Sequence, residues 1–125
     1  MGLDDLLRGV ELRAEPFHYR DDRTARGVDT VHAVIPFDEL YRRNGLQFLP
    51  FTTLYQYAAD PLLAGADAGL LIPDLFAQRL TGRIVAERTN ASTTGLLDVR
   101  TGAWDGELAD ALGDPTARLH ANDFR

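Results

Sequence analysis

Apolar positions along the chain fall into short runs divided by turn-forming residues, and their spacing changes several times. Leu12 to Tyr19 predicts an extended segment, which Pro16 confines to an edge or shortens. Val28, Val31 and Ile35 recur at helical spacing, and Thr24 stands where a hydroxyl can cap that helix. Pro36 ends it and opens the next, because its fixed φ suits a first helical position. This second helix is predicted to turn Phe37, Leu40 and Tyr41 inward, and Asn44-Gly45 closes it with residues that tolerate left-handed backbone. Leu46 to Phe51 is apolar but broken by Pro50, so it predicts a tight connection.

A helix follows from Thr53 to Ala59, closed by Asp60-Pro61. Gly69 to Ile72 is short and apolar, and Pro73 then starts a helix through Leu80, with Gly82 just past its end. Ile84 to Ala86 and Leu96 to Val99 predict brief strands, the second followed by a Thr101-Gly102 turn. Asp105 can cap a last helix through Leu112. The pattern is α/β and helix-rich, without the sustained strand–helix alternation of a complete doubly wound domain.

Composition narrows the function classes. The 125 residues suffice for one domain with its own core, and an apolar fraction of 45% is ordinary for a globular protein. No apolar run has the length of a bilayer span and the N-terminus lacks the regions of a signal peptide, so a cytoplasmic protein without a membrane partner is expected. A net charge of −6 argues against a nucleic-acid partner. All 13 basic residues are Arg. The absence of Lys excludes a P-loop lysine, a Schiff-base lysine and the lysine of a protein-kinase strand. With no Cys, thiolate metal sites are excluded too, and His18, His32 and His120 are too scattered for a metal-ligand spacing.

Several motifs in a fixed order carry more information than any of them alone. They are Tyr19-Arg20-Asp21 with Arg23-Thr24, then Leu40-Tyr41, then Gly45 through Gln56, then Ile72-Pro73-Asp74-Leu75-Phe76. Leu80-Thr81-Gly82, Thr89-Asn90-Ala91-Ser92-Thr93-Thr94 and Trp104-Asp105 complete the series. The ordered set resembles sugar kinases of the FGGY family, and Gln47-Phe48-Leu49-Pro50-Phe51 resembles the rhamnulokinase branch most closely.

The resemblance implies part of the N-terminal, sugar-binding domain of an actin-like, ribonuclease H-like kinase over residues 14–113. Residues 1–13 are then an off-pattern N-terminal extension and 114–125 an off-pattern tail. It further implies transfer of the γ-phosphate of ATP, with Mg2+, to the 1-hydroxyl of a ketose, L-rhamnulose foremost. Another ketose or polyol kinase of the family, and a non-catalytic helical interaction module derived from a kinase, stand as alternatives.

The family's Gly-rich phosphate turn and substrate strand would precede these motifs, and its catalytic Asp would lie beyond them. No catalytic residue is therefore expected within this chain, which is predicted to be inactive alone and to bind neither ATP nor Mg2+. Apolar surface that the rest of such a domain would cover is expected to drive self-association.

Within the resemblance, Phe51 matches the position of an aromatic residue near the sugar; it also reads as a core Phe at a helix entrance. Gln47 and Thr53 can hydrogen-bond sugar hydroxyls or simply bridge loops. Asp21, Asp22 and Arg23 read as ion pairing at a helix start rather than an acid/base pair. Asp74 reads as a first-turn charge favoured by the helix dipole. The Thr89-to-Thr94 run reads as a turn whose short polar side chains satisfy backbone groups, and Trp104 as an anchor for the last helix.

Overall fold

The computed structural model describes residues 4–8, 11–12, 15, 17–62, 66 and 68–112. Strands β1 (Asp4–Arg8), β2 (Glu11–Leu12) and β3 (Ala68–Leu71) form an antiparallel sheet in the order β2-β1-β3. Its register pairs Leu7 with Leu12 on one side of β1 and Asp4 with Leu71 on the other. The sequence pattern predicts nothing at β1, because Asp4-Asp5-Leu6-Leu7-Arg8 shows no alternation and its partner β3 lies far along the chain, Asp4 pairing with Leu71.

Among the described residues there are six helices: α1 (Thr24–His32), α2 (Phe37–Asn44), α3 (Thr53–Ala59), α4 (Ile72–Thr81), α5 (Arg88–Ala91) and α6 (Gly106–Ala111). Helix α1 stops three residues short of Ile35, which is buried in the following turn. Thr24 is its first residue rather than its cap; the hydroxyl donates back to the Asp21 carbonyl at 3.3 Å. Pro36 does open α2, with extended φ −62° and ψ 153°, and Gly45 closes it at φ +69°. The predicted span of α3 is the observed one, and Gly82 ends α4 at φ +73°.

Corrections to the predicted elements have a common cause. Ile84 to Ala86 lacks a partner strand among the described residues and is irregular. Leu96 to Val99 contributes only a single bridge, between Leu97 and Trp104. Of the predicted extended segment, Leu12 lies in β2 and Tyr19 in a turn, while residues 13, 14 and 16 lie outside those described. A strand needs a neighbour as well as a propensity.

The main core gathers Val31, Ile35, Leu40, Leu54, Tyr55, Tyr57, Leu96 and Leu108, with Trp104 packed against it beside α6. Helices α1 and α3 approach closely at Gly27, where a Cβ would lie 1.9 Å from the Tyr55 carbonyl oxygen. Phe37 and Tyr41 are not inward: they are 52% and 60% exposed, and Leu40 alone of the three is buried. The i, i+3, i+4 pattern on α2 describes a face wider than these residues cover.

Candidate functional site

The loop from Gly45 to Thr52 joins α2 to α3 and separates two cavities. One, of about 300 Å³, is walled by Phe37, Tyr41, Phe48 and Tyr55. The other, of about 250 Å³, is lined by Leu46, Gln47, Leu49, Phe51, Thr52, Thr53, Leu71 and Thr93. All three residues singled out from the sequence, Gln47, Phe51 and Thr53, line the second cavity together. Gln47 is exposed and also borders the first cavity, so the two cavities meet at this residue.

Local bonds shape the loop around them. Phe51 is half-buried, with its ring edge-on to Tyr19 at 5.4 Å, and its carbonyl accepts from Gln56 Nε2 at 2.7 Å. Gln56 is itself buried, so the bond holds the loop carbonyl from inside α3. Thr52 Oγ1 donates to the Leu49 carbonyl at 2.9 Å, tightening the turn through Pro50. Thr53 is buried in the first turn of α3. Leu71 and Thr93 are lining residues that motif reading missed, although Thr93 belongs to the recognised Thr89-to-Thr94 run.

The first cavity has an aromatic floor. His32 stacks on Phe37 with centroids 3.5 Å apart, and Phe48 stands edge-on to both Phe37 and Tyr55. His32 Nδ1 lies 2.9 Å from the Ile35 carbonyl, which only accepts, so the proton sits on Nδ1. Nε2 then accepts from the Tyr55 hydroxyl at 2.7 Å. Burial pushes the Tyr55 phenol up to about 12.

Charged groups outside the cavities act structurally. Asp21 Oδ1 accepts from the Arg23 amide, and Arg23 pairs with Asp60 at 3.1 Å. Asp74 is buried in the first turn of α4 and accepts from the Glu87 amide at 3.2 Å; burial pushes its carboxyl up. Glu87 caps α5 through the amides of Thr89 and Asn90, which hold its carboxyl down. Ser92, Thr93 and Thr94 hydroxyls each donate to a carbonyl three residues back, as the turn reading expects. Asp105 caps α6 at the Leu108 amide and binds Arg43 at 2.9 Å. Among the described residues there is no group of three or more His, Cys, Asp or Glu able to hold a metal ion, and no helix is long and apolar enough to cross a membrane.

A solvent-accessible amide, an aromatic ring and hydroxyls around one small cavity can recognise a polyhydroxylated ligand, offering donors, acceptors and an apolar face. They do not assemble a nucleophile with a base.

The chain is 49% identical over 106 residues to a rhamnulokinase of Pectobacterium carotovorum, covering 80% of this chain and 21% of that protein. It is 45% identical over 107 residues to a rhamnulokinase of Klebsiella pneumoniae, covering 82% of this chain and 22% of that protein. The chain thus spans about a fifth of the length of these curated relatives.

Its fold matches a crystal structure of gluconate kinase from Lactobacillus acidophilus with TM-score 0.83 at 24% identity, over 99% of this chain and 26% of that one. It matches a xylulose kinase structure from Rhodospirillum rubrum with TM-score 0.85 at 18% identity, over 98% and 27%. The model of the FGGY family of carbohydrate kinases, N-terminal domain, matches residues 17–121. By that match the chain belongs to the FGGY family of carbohydrate kinases, within its N-terminal domain.

Proposed function

We propose that this chain forms one wall of the sugar site of an ATP-dependent carbohydrate kinase acting on a ketose, L-rhamnulose foremost, and that Gln47, Phe51 and Thr53 face the sugar. The observation that carries the reading is the meeting of these three side chains at one cavity of about 250 Å³. They do so inside a segment 45–49% identical to rhamnulokinases. In this reading the Gln47 amide bonds sugar hydroxyls, and the Phe51 ring covers an apolar face of the ketose.

The reaction joins the ketose 1-hydroxyl oxygen to the γ-phosphorus of ATP, breaks the bond from that phosphorus to ADP, and passes the hydroxyl proton to a base. ATP and Mg2+ belong to the longer enzyme in this reading; we assign neither to residues described here, and no step is routed through them. The chain's own contribution is to orient the sugar and exclude water from one side. We further place the enzyme in the cytoplasm, and expect the isolated chain to be inactive and to self-associate through exposed apolar side chains.

The test is ATP-dependent phosphorylation of L-rhamnulose by the chain alone and by a chimera in which it replaces the matching section of the Pectobacterium carotovorum relative. Turnover is expected from the chimera only, with KM raised severalfold by Gln47→Ala. Turnover by the chain alone, or a chimera preferring another ketose or a polyol, overturns the respective part of the reading.

A further inference from the structure

The loop that carries Gln47 and Phe51 is fastened at its two ends to two adjacent residues, Gly95 and Thr94. At its start, Asn44 is buried at the end of α2; its Nδ2 donates to the Gly95 carbonyl at 3.2 Å and its Oδ1 accepts from the Leu46 amide at 2.9 Å. At its end, the Leu54 amide donates to the Thr94 carbonyl at 2.9 Å. Gly95 has φ +83°, and a Cβ there would lie 3.0 Å from Thr52 Cγ2 and 3.2 Å from Leu54 Cβ. At this φ a side chain would be strained, and its Cβ would press on Thr52 and Leu54, so the position favours glycine.

We propose that Asn44 is a positioning residue for the sugar-facing wall, setting where Gln47 and Phe51 stand by tying the loop's start to Gly95. The inference rests on the sugar-site reading above and adds to it a residue that touches no sugar. A side-chain amide is suited to this task, because one group satisfies a buried carbonyl and a loop amide at once. Removing it leaves the loop held at its second end alone, by the bond from Leu54 to Thr94, which then opens more often while the helices stay in place.

Hydrogen exchange and titration with L-rhamnulose, both followed by NMR on the full 125-residue chain, test this. The variants are Asn44→Ala, Asn44→Asp, which keeps the acceptor for Leu46 but loses the donor to Gly95, and Val31→Ala, a core truncation that lines neither cavity. In both Asn44 variants the Thr52 and Leu54 amides are expected to exchange at least about tenfold faster relative to the Ile35 amide, and L-rhamnulose to bind about tenfold more weakly.

Val31→Ala should accelerate all these amides together and leave affinity within about twofold. Should Asn44→Ala fail to fold, Asn44→Asp decides the matter. The proposal is overturned if Thr52 and Leu54 loosen no more than Ile35, or if they loosen while affinity holds. If the wild-type chain binds no L-rhamnulose, the chimera decides: a KM raised about tenfold by Asn44→Asp supports the proposal, an unchanged KM overturns it, and a chimera that does not turn over L-rhamnulose sinks the sugar reading alone.

Discussion

Tyr55 is 2% exposed, and its hydroxyl is satisfied by His32. A tyrosine in an unfolded chain titrates near 10, whereas burial holds this one to about 12. Between those values the unfolded chain releases a proton that the folded chain keeps. The stability contributed by the neutral phenol is thus complete below pH 10 and is lost as pH rises through 12. Tyr55→Phe removes this dependence and leaves His32 Nε2 without its donor, at a cost of about 1–2 kcal/mol at neutral pH. Thermal melts at pH 7, 9, 10 and 11.5 should show the variant less stable at pH 7 and the gap narrowing at the alkaline end. A constant gap would place the phenol's titration elsewhere. None of this was legible in the sequence, where Tyr55 is one apolar position of a short helix and His32 one of three scattered imidazoles. Gln47, Phe51 and Thr53, which line one cavity, were singled out only through the ordered motifs; spacing alone leaves Phe51 a core residue.

Helices α1 and α3 are the elements whose fit is tightest. With the Tyr55 carbonyl 1.9 Å from where a Cβ at Gly27 would sit, Gly27→Ala must push the two apart, and backbone cannot yield as a flexible side chain can. Overpacking of this kind costs about 1–3 kcal/mol, so urea unfolding should show a lower midpoint with an unchanged slope. A glycine inside a helix signals close approach only once its neighbour is known.

Helix α2 is joined to α6 differently. Arg43 reaches Asp105 at 2.9 Å and Glu107 at 3.2 Å, and Asp105 also caps α6. Asp105→Ala removes cap and pair together and should cost about 2–4 kcal/mol by urea unfolding. Breaking the exposed Arg42–Asp38 pair with Asp38→Ala should cost under about 0.5 kcal/mol. The cap was legible, since Asp105 precedes a helical run; its distant Arg partner was not. Glycine and proline marked most boundaries correctly because they act through their own φ, as at Pro36, Gly45 and Gly82. The strands were read poorly because pairing is decided elsewhere in the chain, as Leu97 shows by meeting only Trp104.

At the scale of the molecule, the helix-rich α/β class was legible, but the sheet was not, since β1 joins β3 across most of the described chain. The same distance in sequence that hides a pairing also hides which apolar side chains stay uncovered. Phe76 and Leu80 lie one turn apart on α4 and are 65% and 86% exposed, while Phe37, Tyr41 and Phe48 are exposed around the first cavity. These two groups of exposed apolar side chains are expected to favour association of the isolated chain. Light scattering across a concentration series should give a mean mass above the monomer that rises with concentration. The double variant Phe76→Ser, Leu80→Ser should lower that mass while leaving unfolding cooperative, because neither side chain belongs to a core cluster. A wild-type chain that stays monomeric at every concentration would show that these surfaces do not drive association. A variant that associates as before would assign it to the aromatic surface of α2 and Phe48, where Phe37→Ser is the next substitution to measure.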